Sequence, residues 1–231
     1  MVTAERFAKG MGFDQYVAYT ATPENLAREA SPGGAGRKPW SEYLRRVYDT
    51  TQLSAAQQAA WKWLVAQPGG PARVLAISEE WSSDCRRDIP LIAKVADVAG
   101  LDLRIFPRDG QRFSAAPEPD PKESPNADLM VQFLNRRDGK VFQSIPVIVF
   151  YTRDMTELYR YIEFPAVYHK DRILAAVRAG RPGETPEQTR ERGARDFMAM
   201  QESPFFHVWR EAAQAEWLSM LYERLRVGSL A

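Results

Sequence analysis

The stretch "RVLAISEEWSSDCRRDIPLIAKVADVAGLDLRIF" (73–106) constrains the fold more than any other part of the chain. "RVLAIS" (73–78) is a short apolar run of the kind that forms a buried strand. Residues 85–99 change period. Ile89, Ile92, Ala93, Ala96 and Ala99 recur at three- and four-residue spacing, which places them on one face of a helix. Gly100 closes that helix, and "LDLRIF" (101–106) is a second strand. Two strands joined through one helix with so short a return predict a parallel βαβ unit.

Downstream, residues 107–125 ("PRDGQRFSAAPEPDPKESP") hold five prolines and no apolar period, which predicts an exposed loop leading to a helix at 126–137. "SIPVIVFY" (144–151) and "TELYRYI" (156–162) read as two strands. The four-residue "TRDM" between them makes an antiparallel hairpin. Helices follow at 166–180, 186–201 and 204–226. Upstream, "ERFAKG", "FDQYVAYT", "TPENLAREA", "WSEYLRRVYDTT" and "SAAQQAAWKWLVAQ" read as helices, with Thr22 and Ser54 as N-caps. "SPGGAGRKP" (31–39) reads as a loop. The expected class is α/β, a mixed central sheet flanked by helices. The expected division is a helical N-terminal extension (1–59), a sheet domain (60–180) and a helical C-terminal extension (181–231).

Charge and cysteine content narrow the function classes. The 231 residues carry 31 Lys+Arg against 30 Asp+Glu, a balance that argues against nucleic acid or an anionic membrane as the main partner. The single cysteine, Cys85, cannot form an internal disulfide, so this is not a disulfide-stapled secreted domain. No apolar run is long enough to span a bilayer. The acid-bearing N-terminus does not read as a signal peptide, so the expectation is a soluble cytoplasmic protein. His169 and His207 are the only histidines, and with one cysteine they form no recognisable metal motif. No phosphate-binding glycine loop is present. No metal or cofactor is expected, and the oligomeric state is left open.

Three features in order resemble the thioredoxin-like superfamily, and in particular its bacterial members with helical extensions. Trp81 directly precedes a four-residue window, "SSDC" (82–85). Pro90 follows the window's last position by five residues, where the family places a proline inside its helix. "SIPVIVFY" is similar to the segment that holds the family's cis-proline, which implies a cis Ile145–Pro146 bond. In the family the window's first position is the attacking cysteine, ionised at a helix N-terminus, and the second cysteine resolves the mixed disulfide. Here Ser82 stands at the attacking position, and Ala76 stands where the family keeps a buried acid. Both departures argue against dithiol turnover.

What the resemblance then implies is a degenerate S-x-x-C site at Ser82 and Cys85. Its substrate groove would be bordered by Trp81, Ser83, Asp84, Ile145 and Pro146, with Pro90 structural. Its thiol role would be monothiol chemistry at Cys85, assisted if Arg86 and Arg87 fold over the sulfur. The partner would be a protein thiol or disulfide, or glutathione. One alternative is a non-catalytic protein that holds a peptide or another protein in the groove. A second is a peroxiredoxin-like peroxidase, since Ser82-x-x-Cys85 is similar to that branch's core, although Ser78 stands where it has a proline. Asp84 is expected to cap the helix through its carboxylate.

Overall fold

The computed structural model describes residues 1–30 and 36–226, so the first part of the loop expected at 31–39 lies outside the described residues. Five helices come first: α1 (Ala4–Ala8), α2 (Phe13–Thr20), α3 (Pro23–Leu26), α4 (Ser41–Thr50) and α5 (Ala55–Ala66). Local chemistry sets their starts. The Thr22 hydroxyl accepts from the Asn25 N–H ahead of Pro23. At Ser54 a reciprocal capping box with Gln57 satisfies two otherwise free N–H groups.

The sheet follows. β1 (Arg73–Ser78) leads through α6 (Ser83–Ala99) to β2 (Asp102–Pro107), then β5 (Val147–Tyr151) and β6 (Glu157–Ile162) close the sheet in the order β2-β1-β5-β6. β1 pairs parallel with β2, Ala76 opposite Ile105, and antiparallel with β5, Ala76 opposite Ile148. β5 and β6 are antiparallel. The outer edge of β2 is not bare: Met11 exchanges backbone hydrogen bonds with Ile105 at 2.9 and 2.8 Å, which blunts an edge open to pairing with another chain.

β1 and β5 are buried at almost every position, as strands covered on both faces must be. Phe150 of β5 lies 5.8 Å from the ring of Trp61 on α5. It lies 6.1 Å from that of Trp217 on α10 (Pro204–Arg226). The main apolar core therefore takes residues from both ends of the chain, from Val2 and Phe7 to Leu221. Deleting a ring such as Trp217, which is fully buried, should cost about 3–5 kcal/mol.

The helix expected over "TPENLAREA" forms only as Pro23–Leu26, the one expected at 166–180 only from Lys170 to Arg178, and two larger departures from the sequence expectation bear on the site. The helix expected at 126–137 stops early: α7 (Ala127–Met130) runs into a single 3-10 turn, and β3 (Asn135–Arg137) and β4 (Lys140–Phe142) form a small hairpin. Its turn is Asp138–Gly139, with φ of 52° and 71°. That is the Asp-Gly pairing a two-residue hairpin turn requires, and it outweighs the helical spacing around it. The second departure is α6. It begins at Ser83, not at Cys85, and its first half is buried all round, Arg86, Arg87 and Asp88 included. Leu91 and Val95 form a second apolar row beside the expected one. α4, α5 and α10 all pack against this helix, so both rows are used. The chain ends through α8 (Lys170–Arg178), α9 (Pro186–Gln201) and α10.

Candidate functional site

The candidate site lies where β1 ends and α6 begins, and the chain's two ends close over it. Cys85 sits in the first turn of α6 with 1% of its surface exposed. The Glu79 N–H donates to its Sγ at 3.5 Å, and the Ser78 and Ser82 hydroxyls also face the sulfur. Tyr16 of α2 closes the pocket from the N-terminal side, its hydroxyl 2.9 Å from that of Ser78. Burial pushes the Cys85 thiol up to about 12, more than these hydrogen bonds pull it down. At neutral pH the sulfur carries its proton.

Arg86 and Arg87 do not fold over the sulfur. Arg86 donates to the Glu80 and Trp81 carbonyls at 2.8 and 2.7 Å and to Gln201 of α9 at 2.5 Å. Its guanidinium lies 3.8 Å from the Trp40 ring centroid. Arg87 turns to Asp84 and Asp88, each at 2.7 Å. Asp84 is therefore no helix cap. Its carboxylate is shared between Arg87 and Lys170 of α8, and the N-cap residue, Ser82, makes no side-chain capping bond.

The expected groove residues do come together, but little of them is open. Ile145, Pro146, Asp84 and Ser82 are buried, while Trp81 and Ser83 are half-buried. The Ile145–Pro146 peptide is cis, and the Pro146 carbonyl accepts from the Glu163 N–H at 2.8 Å. The start of the 107–125 segment lies against Trp81. Phe113 packs edge-on to the indole at 5.4 Å, and the indole N–H donates to Asp109 at 3.2 Å. Pro90 lies buried within α6.

Sequence reasoning missed the charged cluster at the end of β1. Glu79 accepts from Arg28 at 2.9 Å, from Arg37 at 2.5 Å and from the Asp109 N–H at 2.6 Å. Glu80 accepts from Arg37 at 2.8 Å and from Asn25 at 3.0 Å. Arg108 pairs with Asp109 at 2.8 Å. Three carboxylates and three guanidiniums thus sit buried together, a closed arrangement in which removing one partner strands another. Burial alone would lower the Arg37 guanidinium; Glu79 and Glu80 outweigh it and hold it above its ordinary value. The available signal was "SEEW", two glutamates directly after a wholly apolar strand. Such a pair needs cations, and here the segments before α4 supply Arg28 and Arg37.

A mixed sheet in which a helix opens at the end of its central strand, ahead of a cis-proline strand, defines the thioredoxin-like class of fold. Residues 35–117 match the family model described as Thioredoxin, in agreement with the thioredoxin-like arrangement of the sheet and α6. Two solved structures share the fold at low identity. One is a protein of unknown function from Pseudomonas aeruginosa, 15% identical with a TM-score of 0.50. The other is an HIV epitope-scaffold, 14% identical with a TM-score of 0.51. Each alignment covers 96% of this chain and 98% of the other. None of the curated proteins matches. Among the described residues no group of His, Cys, Asp and Glu could hold a metal ion, and no helix is long and apolar enough to cross a membrane.

Proposed function

We propose that this chain is a binding protein on a thioredoxin-like scaffold, holding an extended segment of another protein without thiol chemistry. The observation that carries this reading is the state of Cys85. Monothiol exchange with glutathione or a protein disulfide needs an exposed thiolate, and peroxide reduction at Ser82-x-x-Cys85 needs the same. A sulfur 1% exposed, its thiol pushed up to about 12, serves neither.

A cavity of about 780 Å³ beside the buried groove supports the binding half of the reading. It is bounded by Phe113 to Pro117 on one side and Gly139 to Ser144, β4 included, on the other, and no β3 residue lines it. Among the described residues β4 pairs with β3 alone, which leaves one edge for an added strand. Phe142 is 38% exposed there. Gln143 is buried; its amide nitrogen holds Ser114 and the Ala116 carbonyl at 2.7 and 2.8 Å. Its oxygen is buried and has no partner among the described residues.

Two measurements test this. Alkylation of the folded protein followed against pH, with intact mass after glutathione and peroxide, should show an inert thiol and no adduct. A thiol pKa at or below roughly 8.5 in the folded state would restore the redox reading. Selection of a random-peptide display library on the full chain should enrich extended peptides whose binding drops at least about tenfold in Phe142→Asp, a loss of about 1.4 kcal/mol. No enrichment, or binders indifferent to that substitution, would end the binding reading.

A further inference from the structure

A second, separate pocket lies between α4 and the α9–α10 junction, with a volume of about 370 Å³. Tyr43 and Arg46 line it from α4, Gln201 from the end of α9, Ser203 from the junction, and His207 and Arg210 from the start of α10. Its charges are unusual. Arg210 is 9% exposed and forms no ion pair among the described residues, and its Nε has no hydrogen-bond partner. Behind Gln201 stands Arg86, 3% exposed, whose Nε is also without a partner. Arg46, exposed at the rim and leaning on the Tyr43 ring at 5.3 Å, forms no ion pair among the described residues.

Buried cations are ordinarily paired, and elsewhere in this molecule they are: Arg28, Arg37, Arg87 and Arg108 each meet a carboxylate at 2.9 Å or less. Glu211 binds Gln57 at 2.9 Å, Asp88 is held by Arg87 and Tyr161, and Glu202 is the one carboxylate on the lining. On the lining Arg46 and Arg210 stand with Glu202, while Glu42 and Asp49 lie with Arg46 in the adjoining cavity; among the described residues the buried pair Arg86 and Arg210 is what lacks a carboxylate partner. The N-terminal end of the 23-residue α10 adds to that potential. Burial lowers the Arg210 guanidinium from its ordinary value and brings Arg86 to about 10, as expected of cations that lack an anion.

From this geometry we infer that the pocket binds a phosphate group, free or as a small phosphate monoester, with Arg210 as its buried anchor and Arg46 at its mouth. A phosphate group supplies the counter-charge that the buried Arg86 and Arg210 lack, and guanidinium forks are suited to its oxygens. The site is independent of the peptide groove by β4, so the failure of one reading leaves the other standing.

Calorimetric titration and thermal unfolding of the full chain test it, with inorganic phosphate, glycerol phosphate and, at equal ionic strength, chloride. Phosphate should bind and raise the melting temperature where chloride does not. Tighter binding of glycerol phosphate would mark the monoester as the fitted form; equal binding would mark the free ion. Arg46→Ala, at an exposed position, should weaken phosphate about tenfold while leaving the phosphate-free melting temperature in place. Arg210→Gln should abolish binding without lowering the phosphate-free melting temperature, because it removes an unpaired buried charge. Phe142→Asp should leave phosphate affinity unchanged. Equal effects of phosphate and chloride, or an Arg46→Ala protein that binds phosphate as tightly as the parent, would overturn the assignment.

Discussion

Arg86 and Arg87 are neighbours on one helix, 3% and 0% exposed, yet they live under opposite conditions. Arg87 meets Asp84 and Asp88 at 2.7 Å and donates to the Glu163 carbonyl at 3.1 Å. Burial alone would lower its guanidinium, but the two carboxylates outweigh it and hold it well above its ordinary value. Arg86 meets carbonyls, an amide oxygen and an indole face, and burial brings it to about 10. One residue step turns a side chain by roughly 100° around a helix axis. That turn separates a closed ion cluster under α8 from the side of the helix that faces Trp40 and Gln201. Burial by itself does not tell what a charge is for; the partner does.

The largest expected effect breaks this comparison directly. Arg87→Met should destabilise the chain by about 3–5 kcal/mol, because Asp84 and Asp88 would be left buried without their cation. Arg86→Met should stay within about 1 kcal/mol of the parent, since the hydrogen bonds it loses are offset by no longer burying an unpaired charge. Urea unfolding of both variants measures the difference. Equal losses would mean that the carbonyl and indole contacts hold Arg86 as firmly as carboxylates hold Arg87. Lys170→Met sharpens the same point with a smaller effect. Its ammonium bridges Asp84 and Glu163 and stays slightly open to water, so a loss of about 1–2 kcal/mol is expected, smaller than that of Arg87→Met.

Much of the scaffold was legible in the sequence, and the ion clusters were not. β1 matches the expected run at 73–78, and α9 and α10 match 186–201 and 204–226, because local period and caps alone specify such elements. The hairpin at 135–142 was carried by Asp138–Gly139, a local signal that the apolar spacing around it concealed. Arg28 and Arg37 meet Glu79 only across 51 and 42 residues of chain, and nothing periodic links them. The sequence also placed Ser82, Cys85, Trp81 and Pro146 near one another. It could not say that Tyr16, Gln201, Phe113 and Lys170, drawn from four other segments, would crowd around that place.

The thiol gives a pH test of that closure. The folded value of Cys85 lies near 12 against an ordinary 9.0, so the unfolded chain gives up the proton first as pH rises. The folded state binds more protons over that interval, and stability must therefore fall from about pH 9 towards 12. Cys85→Ala should flatten this alkaline limb relative to the parent while leaving the acid side alone. Denaturant midpoints taken across that range read the difference, and parallel curves would mean that the sulfur is not closed off.

Ser82→Cys should change least, and its smallness is informative. The substitution restores the two-cysteine spacing at the start of α6, and in an open thioredoxin site it would be expected to restore disulfide reduction. Position 82 is itself buried here, Ala76 offers no proton acceptor, and the other sulfur lies behind Tyr16 and Ser78. Both thiols would have to reach a substrate disulfide past side chains that belong to the same closed core. Reduction of insulin by the variant should stay at the background rate of the parent. A clear gain would show that the chain's two ends swing away from the window in solution. In that case the thiol, and not the cavity beside β4, would be the group to pursue.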